Sequence, residues 1–257
     1  MPQAAIISVT LVVNVWSLWA RRGTWRSYWD SGATWAIAFL TVAAVLDSPA
    51  RRHVIGSRIY TITGQWHLLG WLGHVCCLLA AAALVVHVWV RLLDAAGIRL
   101  LMARIAPVLT AAPPLMLAAI VTSPATSKRH GVSSELIAVP VDGWLTAYWV
   151  VFCTAMAYLL GLAVWGLTIL RHVPESRMHA EVWLAGLTLA GAAAGVRILT
   201  LPSLGGLDPH TVALTVWGLT CAAAITLSWS GGTSWRQRAR WFAGPHEPSP
   251  SPSPIDR

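Results

Sequence analysis

Seven apolar segments, separated by short polar stretches, fill this chain of 257 residues almost from end to end. They comprise residues 4–20, 33–46, 65–93, 100–121, 144–170, 180–201 and 211–229. A helix of about 20 apolar residues crosses a bilayer core of roughly 30 Å, and only helices or closed barrels satisfy their backbone hydrogen bonds there. The pattern predicts an all-α, polytopic membrane helix bundle with about seven transmembrane helices.

Composition excludes a water-soluble domain. Hydrophobic residues make up 56% of the chain and charged residues 11%, whereas globular domains carry about 25% charged residues. We therefore expect one membrane domain over residues 1–230. Residues 231–257 form a tail that is first basic and then rich in Pro and Ser, and such a tract is expected to be disordered.

The distribution of basic residues predicts the orientation. Counted near the segment ends, eleven Lys and Arg residues lie on one side of the predicted membrane and five on the other. The richer side is normally cytoplasmic, so the N-terminus is predicted outside, the C-terminus inside, and the protein in the cytoplasmic membrane. Topology also explains the net charge of +8 better than nucleic-acid binding, because the charges form no patch.

Arg197 lies inside the sixth apolar segment and is the best single candidate for a functional residue. Ionisable residues within membrane segments are rare and often functional. Three interpretations stay open from the sequence. The side chain could extend to the headgroups, it could pair with Asp208 or Asp142, or it could bind a ligand or ion. Asp208 is thereby a candidate partner as well.

The third segment carries three histidines: His67, His74 and His87. His67 and His74 are seven residues apart and share a helix face, whereas His87 is rotated away. A haem would need axial histidines on two facing helices, and the other segments supply none near mid-membrane. We therefore predict no cofactor and no metal. We expect His67 near the outer interface and His74 bonded to a neighbouring helix, with both kept as candidate ligand contacts.

Gly191 and Gly195 form a Gly-x-x-x-Gly pair in the Ala-rich sixth segment. This spacing lets helices approach closely. Packing within the bundle is the favoured interpretation and a dimer seam the alternative, so the oligomeric state stays open.

No catalytic or phosphate-binding motif appears in the chain, and the four cysteines lie in apolar segments without metal-site spacing. The sequence therefore favours a non-enzymatic integral membrane protein that acts through the lipid bilayer or a membrane-protein partner. A small transporter or channel component is one alternative, and a haem-b electron carrier is another.

One stretch resembles a known family. The runs Leu46-Asp47-Ser48-Pro49, Tyr60-Thr61-Ile62-Thr63-Gly64 and Leu69-Gly70-Trp71-Leu72-Gly73-His74 are similar to a family of actinobacterial multi-pass integral membrane proteins whose genes often accompany lysogeny-type regulators. The resemblance covers about a fifth of the chain, which lacks the family's cytoplasmic helical region. It implies a phage or prophage setting, with a role in lysogeny, exclusion or defence, and no mechanism.

Overall fold

A computed structural model describes residues 2–27, 29–48, 55–127, 136–201 and 208–242, and all regular structure in these ranges is helical. The helices are α1 (Pro2–Ala20), α2 (Ser31–Leu46), α3 (Ser57–Thr63), α4 (Leu68–Trp89), α5 (Ala95–Thr122), α6 (Pro124–Ser127), α7 (Gly143–Leu170), α8 (Arg177–Leu199) and α9 (Pro209–Phe242). The prediction of an all-α membrane bundle is confirmed.

Six of the described helices are long and apolar enough to cross a membrane: α1, α4, α5, α7, α8 and α9. The second predicted segment forms α2, which is equally apolar but has only 16 residues. At 1.5 Å per residue, such a helix is about 24 Å long, which is shorter than the roughly 30 Å hydrocarbon core. The protein is thus a multi-pass helical membrane protein with six confirmed candidate spans, and the seventh span stays a prediction.

Aspartate side chains cap the N-terminal ends of three described helices. The Asp94 carboxylate accepts a hydrogen bond from Gly97 N–H at the start of α5, and Asp142 accepts one from Leu145 N–H at the start of α7. The Asp208 carboxylate accepts a hydrogen bond from Thr211 N–H at the start of α9. Each carboxylate satisfies a backbone donor that the first helical turn leaves unpaired.

Six helices form a closed ring. Each packs against the next in the order α1, α2, α4, α7, α8 and α9, and α9 returns to α1. Helix α5 lies outside this ring, packed against α7 and less extensively against α4. The outward face of α1 is apolar and exposed, with Val9, Val12, Val15 and Trp19, as expected of a helix that borders lipid.

The last helix of the bundle crosses residue 230, where the membrane domain is predicted to end, and the boundary itself stays a prediction. Helix α9 continues to Phe242. Its Gly231 carbonyl accepts a hydrogen bond from Arg21 Nη1 at 3.0 Å, and this contact ties the segment after residue 230 to α1. The Pro/Ser tract lies outside the described residues.

The glycines of α8 differ in their contacts with the bundle. A Cβ at Gly191 or Gly195 would meet nothing within 4 Å among the described residues, so no close helix contact is seen at this pair and its packing role stays a prediction. Gly186 is the contact glycine instead, because a Cβ there would lie 3.1 Å from the Leu227 side chain of α9. Spacing along the sequence could not distinguish these positions, because Ala and Gly surround both faces of α8.

Candidate ligand-binding site

The helices of the ring line a partly open cavity of about 170 Å³, which we call the ring cavity. Every helix of the ring lines it, whereas no described residue of α5 does. The cavity occupies the half of the bundle where α4, α7 and α9 begin, which the charge count predicts to be the outer half. Polar or aromatic lining residues are Thr10, Asp47, Trp66, His67, His74, Trp149, Phe152, Arg197, Trp217 and Thr220.

Arg197 lies in the last turn of α8, lines the ring cavity and is only 4% exposed. Its Nε and Nη2 atoms are buried without a hydrogen-bond partner among the described residues. The negative end of the α8 dipole gives the charge some compensation but no acceptor. A buried guanidinium with open donors is costly unless an acceptor satisfies it.

Trp149 of α7 supports this guanidinium. The Arg197 Cζ atom lies 4.2 Å from the centre of the Trp149 indole, which is 2% exposed. This distance is that of a cation–π contact, which stabilises the charge without using its N–H groups. The contact therefore holds Arg197 in the cavity wall and leaves its donors available.

His74 packs against the same tryptophan. Its imidazole lies edge-on to Trp149 with centroids 5.1 Å apart, and 4.5 Å from the Phe152 centroid. Its Nδ1 atom forms a hydrogen bond of 2.5 Å with the hydroxyl of Tyr148, which is fully buried. The expectation that His74 bonds a neighbouring helix is confirmed, since Tyr148 belongs to α7.

Asp47 brings a carboxylate to the cavity wall at the end of α2. It lies against α4 where Gly73 has no side chain, since a Cβ there would come 2.6 Å from Asp47 Oδ2. Asp47 has interactions of its own and forms no ion pair with Arg197 in the described chain. Among the described residues, the positive charge of Arg197 therefore has no carboxylate paired with it.

Neither predicted carboxylate pairs with Arg197. Asp142 accepts from Ser123 Oγ at 2.6 Å and from two backbone N–H groups, and Asp208 is an exposed helix cap bonded to Thr211. The Nε and Nη2 atoms of Arg197 are buried within the bundle, which does not favour extension of the side chain to the headgroups. The ligand role stays a prediction, and the open donors of the guanidinium in the cavity wall favour it.

His67 precedes α4, is 8% exposed and lines the ring cavity with His74. Both cavity histidines therefore come from one stretch of chain. This arrangement does not favour a haem held by axial histidines on facing helices. His87 lies at the other end of α4, where its Nε2 atom is 2.8 Å from Arg91 Nη1.

Sequence reasoning missed the roles of Trp149 and Tyr148. An indole suits both a headgroup layer and the inner face of a bundle, so the sequence alone does not decide between these places for Trp149. Only its packing under Arg197 distinguishes the two. The proximity of Tyr148 to His74 was equally hidden, since the two residues are 74 positions apart.

Comparison of the chain with family models, with curated proteins and with solved structures finds no match. The resemblance to the actinobacterial family therefore stays a prediction. The class that fold and site define is a multi-pass helical membrane protein with a cavity between its helices, lined by an arginine whose Nε and Nη2 atoms lack a hydrogen-bond partner among the described residues.

Proposed function

We propose that this membrane protein is a non-enzymatic binding protein for a small carboxylate with an apolar body, held in the ring cavity by Arg197. The single observation that carries the proposal is the buried guanidinium whose Nε and Nη2 donors lack a partner in the part of the chain that the structure describes. This function falls within the small-transporter alternative and is favoured over action through a protein partner, because the polar chemistry of the site lies inside the bundle.

The two open donors favour a carboxylate. The Nε–H and Nη2–H groups lie on the same edge of a guanidinium, and a carboxylate accepts from both at once. A chloride ion would also accept from these two N–H groups, but a spherical ion does not match the planar geometry of the guanidinium edge. The aromatic and aliphatic walls, including Trp149, Phe152 and Met156, favour an apolar body attached to the carboxylate.

Cavity size limits that body. An apolar cavity of about 150 Å³ holds benzene, and the ring cavity measures about 170 Å³. The space thus suits a ligand of benzoate size. A longer fatty acid would require the bundle to open.

The test is binding of benzoate to the purified protein in detergent, measured by calorimetry and by ligand-induced thermal stabilisation. Benzenesulfonate, a permanently ionised anion of similar shape, is expected to bind as well. Benzyl alcohol, which lacks the charge, should bind at least tenfold more weakly, because a hydrogen bond to a charged group contributes about 1.5–3 kcal/mol.

Arg197→Leu should abolish benzoate binding, and Arg197→Lys should weaken it about tenfold or more because the planar fork is lost. The matched control is Arg177→Leu on the same helix, where the arginine is exposed and paired with Glu181. It should bind benzoate like the natural protein. Equal binding of benzoate and benzyl alcohol, or unchanged binding to Arg197→Leu, would overturn the proposal.

A further inference from the structure

Helix α1 carries a polar stripe on its inward face. Thr10, Asn14, Ser17 and Arg21 follow each other at intervals of four, three and four residues, which places them on one helix face. All four are at most 3% exposed. Thr10 lines the ring cavity, and Arg21 lies one residue beyond the end of α1. The stripe therefore runs from the cavity to the opposite end of the bundle.

Hydrogen bonds between helices do not satisfy all the polar groups of the stripe. Ser228 Oγ donates to Asn14 Oδ1 at 2.7 Å, but Asn14 Nδ2 and Ser17 Oγ are buried without a partner among the described residues. Polar groups in a membrane interior are normally satisfied by protein or water. Two unsatisfied groups in succession indicate that something other than protein completes them.

Small residues face the stripe across the seam with α9. A Cβ at Gly232 would lie 3.2 Å from Ser17 Oγ and 2.6 Å from the Trp16 indole, and one at Gly231 would lie 3.9 Å from Ser17 Oγ. At these two glycines, the backbone of α9 faces α1 directly, with no side chain between the two helices. A modest separation of α1 from α9 would open a polar passage.

Arg21 closes the far end of the stripe. Its side chain donates to Thr34 Oγ1 at 3.0 Å, to the Gly231 carbonyl at 3.0 Å and to the Asp30 carbonyl at 2.8 Å. These bonds join α2 and α9 across the seam. The stripe thus has a cation at each end, with Arg197 in the cavity and Arg21 at the closure.

We propose that the α1 stripe is a hydrated route by which the anion leaves the ring cavity toward the Arg21 end, so that the protein transports its ligand across the membrane. The inference rests on the proposed function. Described residues hold the route closed in this conformation, in which Asn14 Nδ2 and Ser17 Oγ are inaccessible to water. When α1 separates from α9, water supplies the hydrogen bonds that the protein does not. Arg21 offers the departing anion a second cationic contact.

The first test is flux of radiolabelled benzenesulfonate into proteoliposomes, with binding measured on the same preparation. The natural protein should carry the anion. Asn14→Leu should bind it within about twofold of the natural protein but carry it at least tenfold more slowly. Ser8→Leu is the matched control on α1, since Ser8 is exposed and bonds only to Ala4 of its own helix, and it should bind and carry normally.

The outcomes separate the two proposals. Failure of the natural protein to bind benzoate refutes the proposed function. Binding without flux, or flux through Asn14→Leu at the natural rate, refutes the route alone.

A second measurement keeps the route testable if Asn14→Leu does not fold. Ser17→Cys should react with methyl methanethiosulfonate at least tenfold faster than Val12→Cys on the exposed apolar face, because only a wet thiol ionises to the reactive thiolate. Peptide-resolved mass spectrometry separates these sites from the four natural cysteines. Equal reactivity would show that the stripe is dry and overturn the route.

Discussion

The Arg197 guanidinium of α8 lies face-on to the Trp149 indole of α7, with 4.2 Å between Cζ and the centre of the indole. This contact accounts for how a positive charge is kept inside a membrane bundle without a carboxylate. The contact also keeps the charge in the wall of the ring cavity, which the six helices of the ring line. The Arg197–Trp149 pair is therefore both a packing element of the α7–α8 interface and the centre of the proposed site.

Stability should report the cost of the unpaired charge. Arg197→Leu is expected to raise the free energy of unfolding of the ligand-free protein by about 1–3 kcal/mol, since a buried charge without hydrogen bonds is replaced by an apolar side chain. Denaturant titration in detergent measures the change. Destabilisation by a similar amount would mean that Arg197 already has an acceptor in the empty protein.

The cation–π contact should be measurable separately. Trp149→Leu is expected to weaken benzoate binding by about 0.5–2 kcal/mol, the range of such contacts, because the guanidinium loses the surface that orients it. Trp149→Phe should keep most of the affinity. The control is Trp165→Leu on the same helix, at an exposed position outside the cavity lining. A similar loss in that variant would assign the effect to the helix and not to the contact.

The two glycine positions of α8 should differ sharply. Gly186→Leu is expected to destabilise the bundle by about 1–3 kcal/mol through overpacking, because a Cβ there already meets Leu227 at 3.1 Å. Gly191→Leu has open space and should leave the thermal unfolding midpoint unchanged. Size-exclusion chromatography of Gly191→Leu also tests the dimer seam, since a bulky residue would break a glycine-mediated contact and lower the apparent mass.

The Asp142 cap should lend stability that depends on pH. Partial burial raises the pKa of Asp142, but hydrogen bonds from Ser123 Oγ and from the backbone N–H groups of Leu145 and Ala125 together lower it below the ordinary carboxyl value. A lowered folded-state pKa stabilises the protein above the ordinary value of about 4, and this contribution is lost as pH falls through the folded-state pKa.

Asp142→Asn should therefore reduce stability at pH 7 and flatten its acid dependence. The expected loss is within the range of about 0.5–2 kcal/mol known for N-cap residues. Thermal unfolding of both proteins from pH 7 to pH 3 measures it. Parallel curves would show that Asp142 does not contribute to the acid dependence.

The orientation prediction is tested by reporters fused to the chain. A cytoplasmic reporter placed after Arg240, in the last turns of α9, should be active, because the count of basic residues places this end inside. A reporter for the opposite compartment should be inactive there. The converse result would mean that the bundle has the opposite orientation in the membrane, with the ring cavity in its inner half.

Several features of the fold could be predicted from single segments. The length of an apolar segment can be compared directly with the thickness of the bilayer core. The apolar helices α1, α4, α5, α7 and α8 were therefore predicted to within a few residues. The end of α9 was not predicted, because its last twelve residues begin with two glycines and include three arginines, which interrupts the apolar pattern. They remain helical through continuity with the segment before them and the Arg21 bond to Gly231.

Helix arrangement could not be predicted in this way. Lipid and neighbouring helices are equally apolar, so the sequence of an apolar helix does not reveal which face turns inward. That α5 lies outside the ring while the short α2 lies within it was decided by packing between distant segments.

The sequence by itself determined that this protein is a helical membrane protein and that Arg197 and His74 are polar residues in apolar surroundings. Only the tertiary structure decided what surrounds them. It places Asp142 and Asp208 in helix caps, Trp149 beneath the guanidinium and Tyr148 against His74. The physical reason is that the cost of a buried charge depends on the groups within a few ångströms of it, and those groups come from helices far apart in the chain.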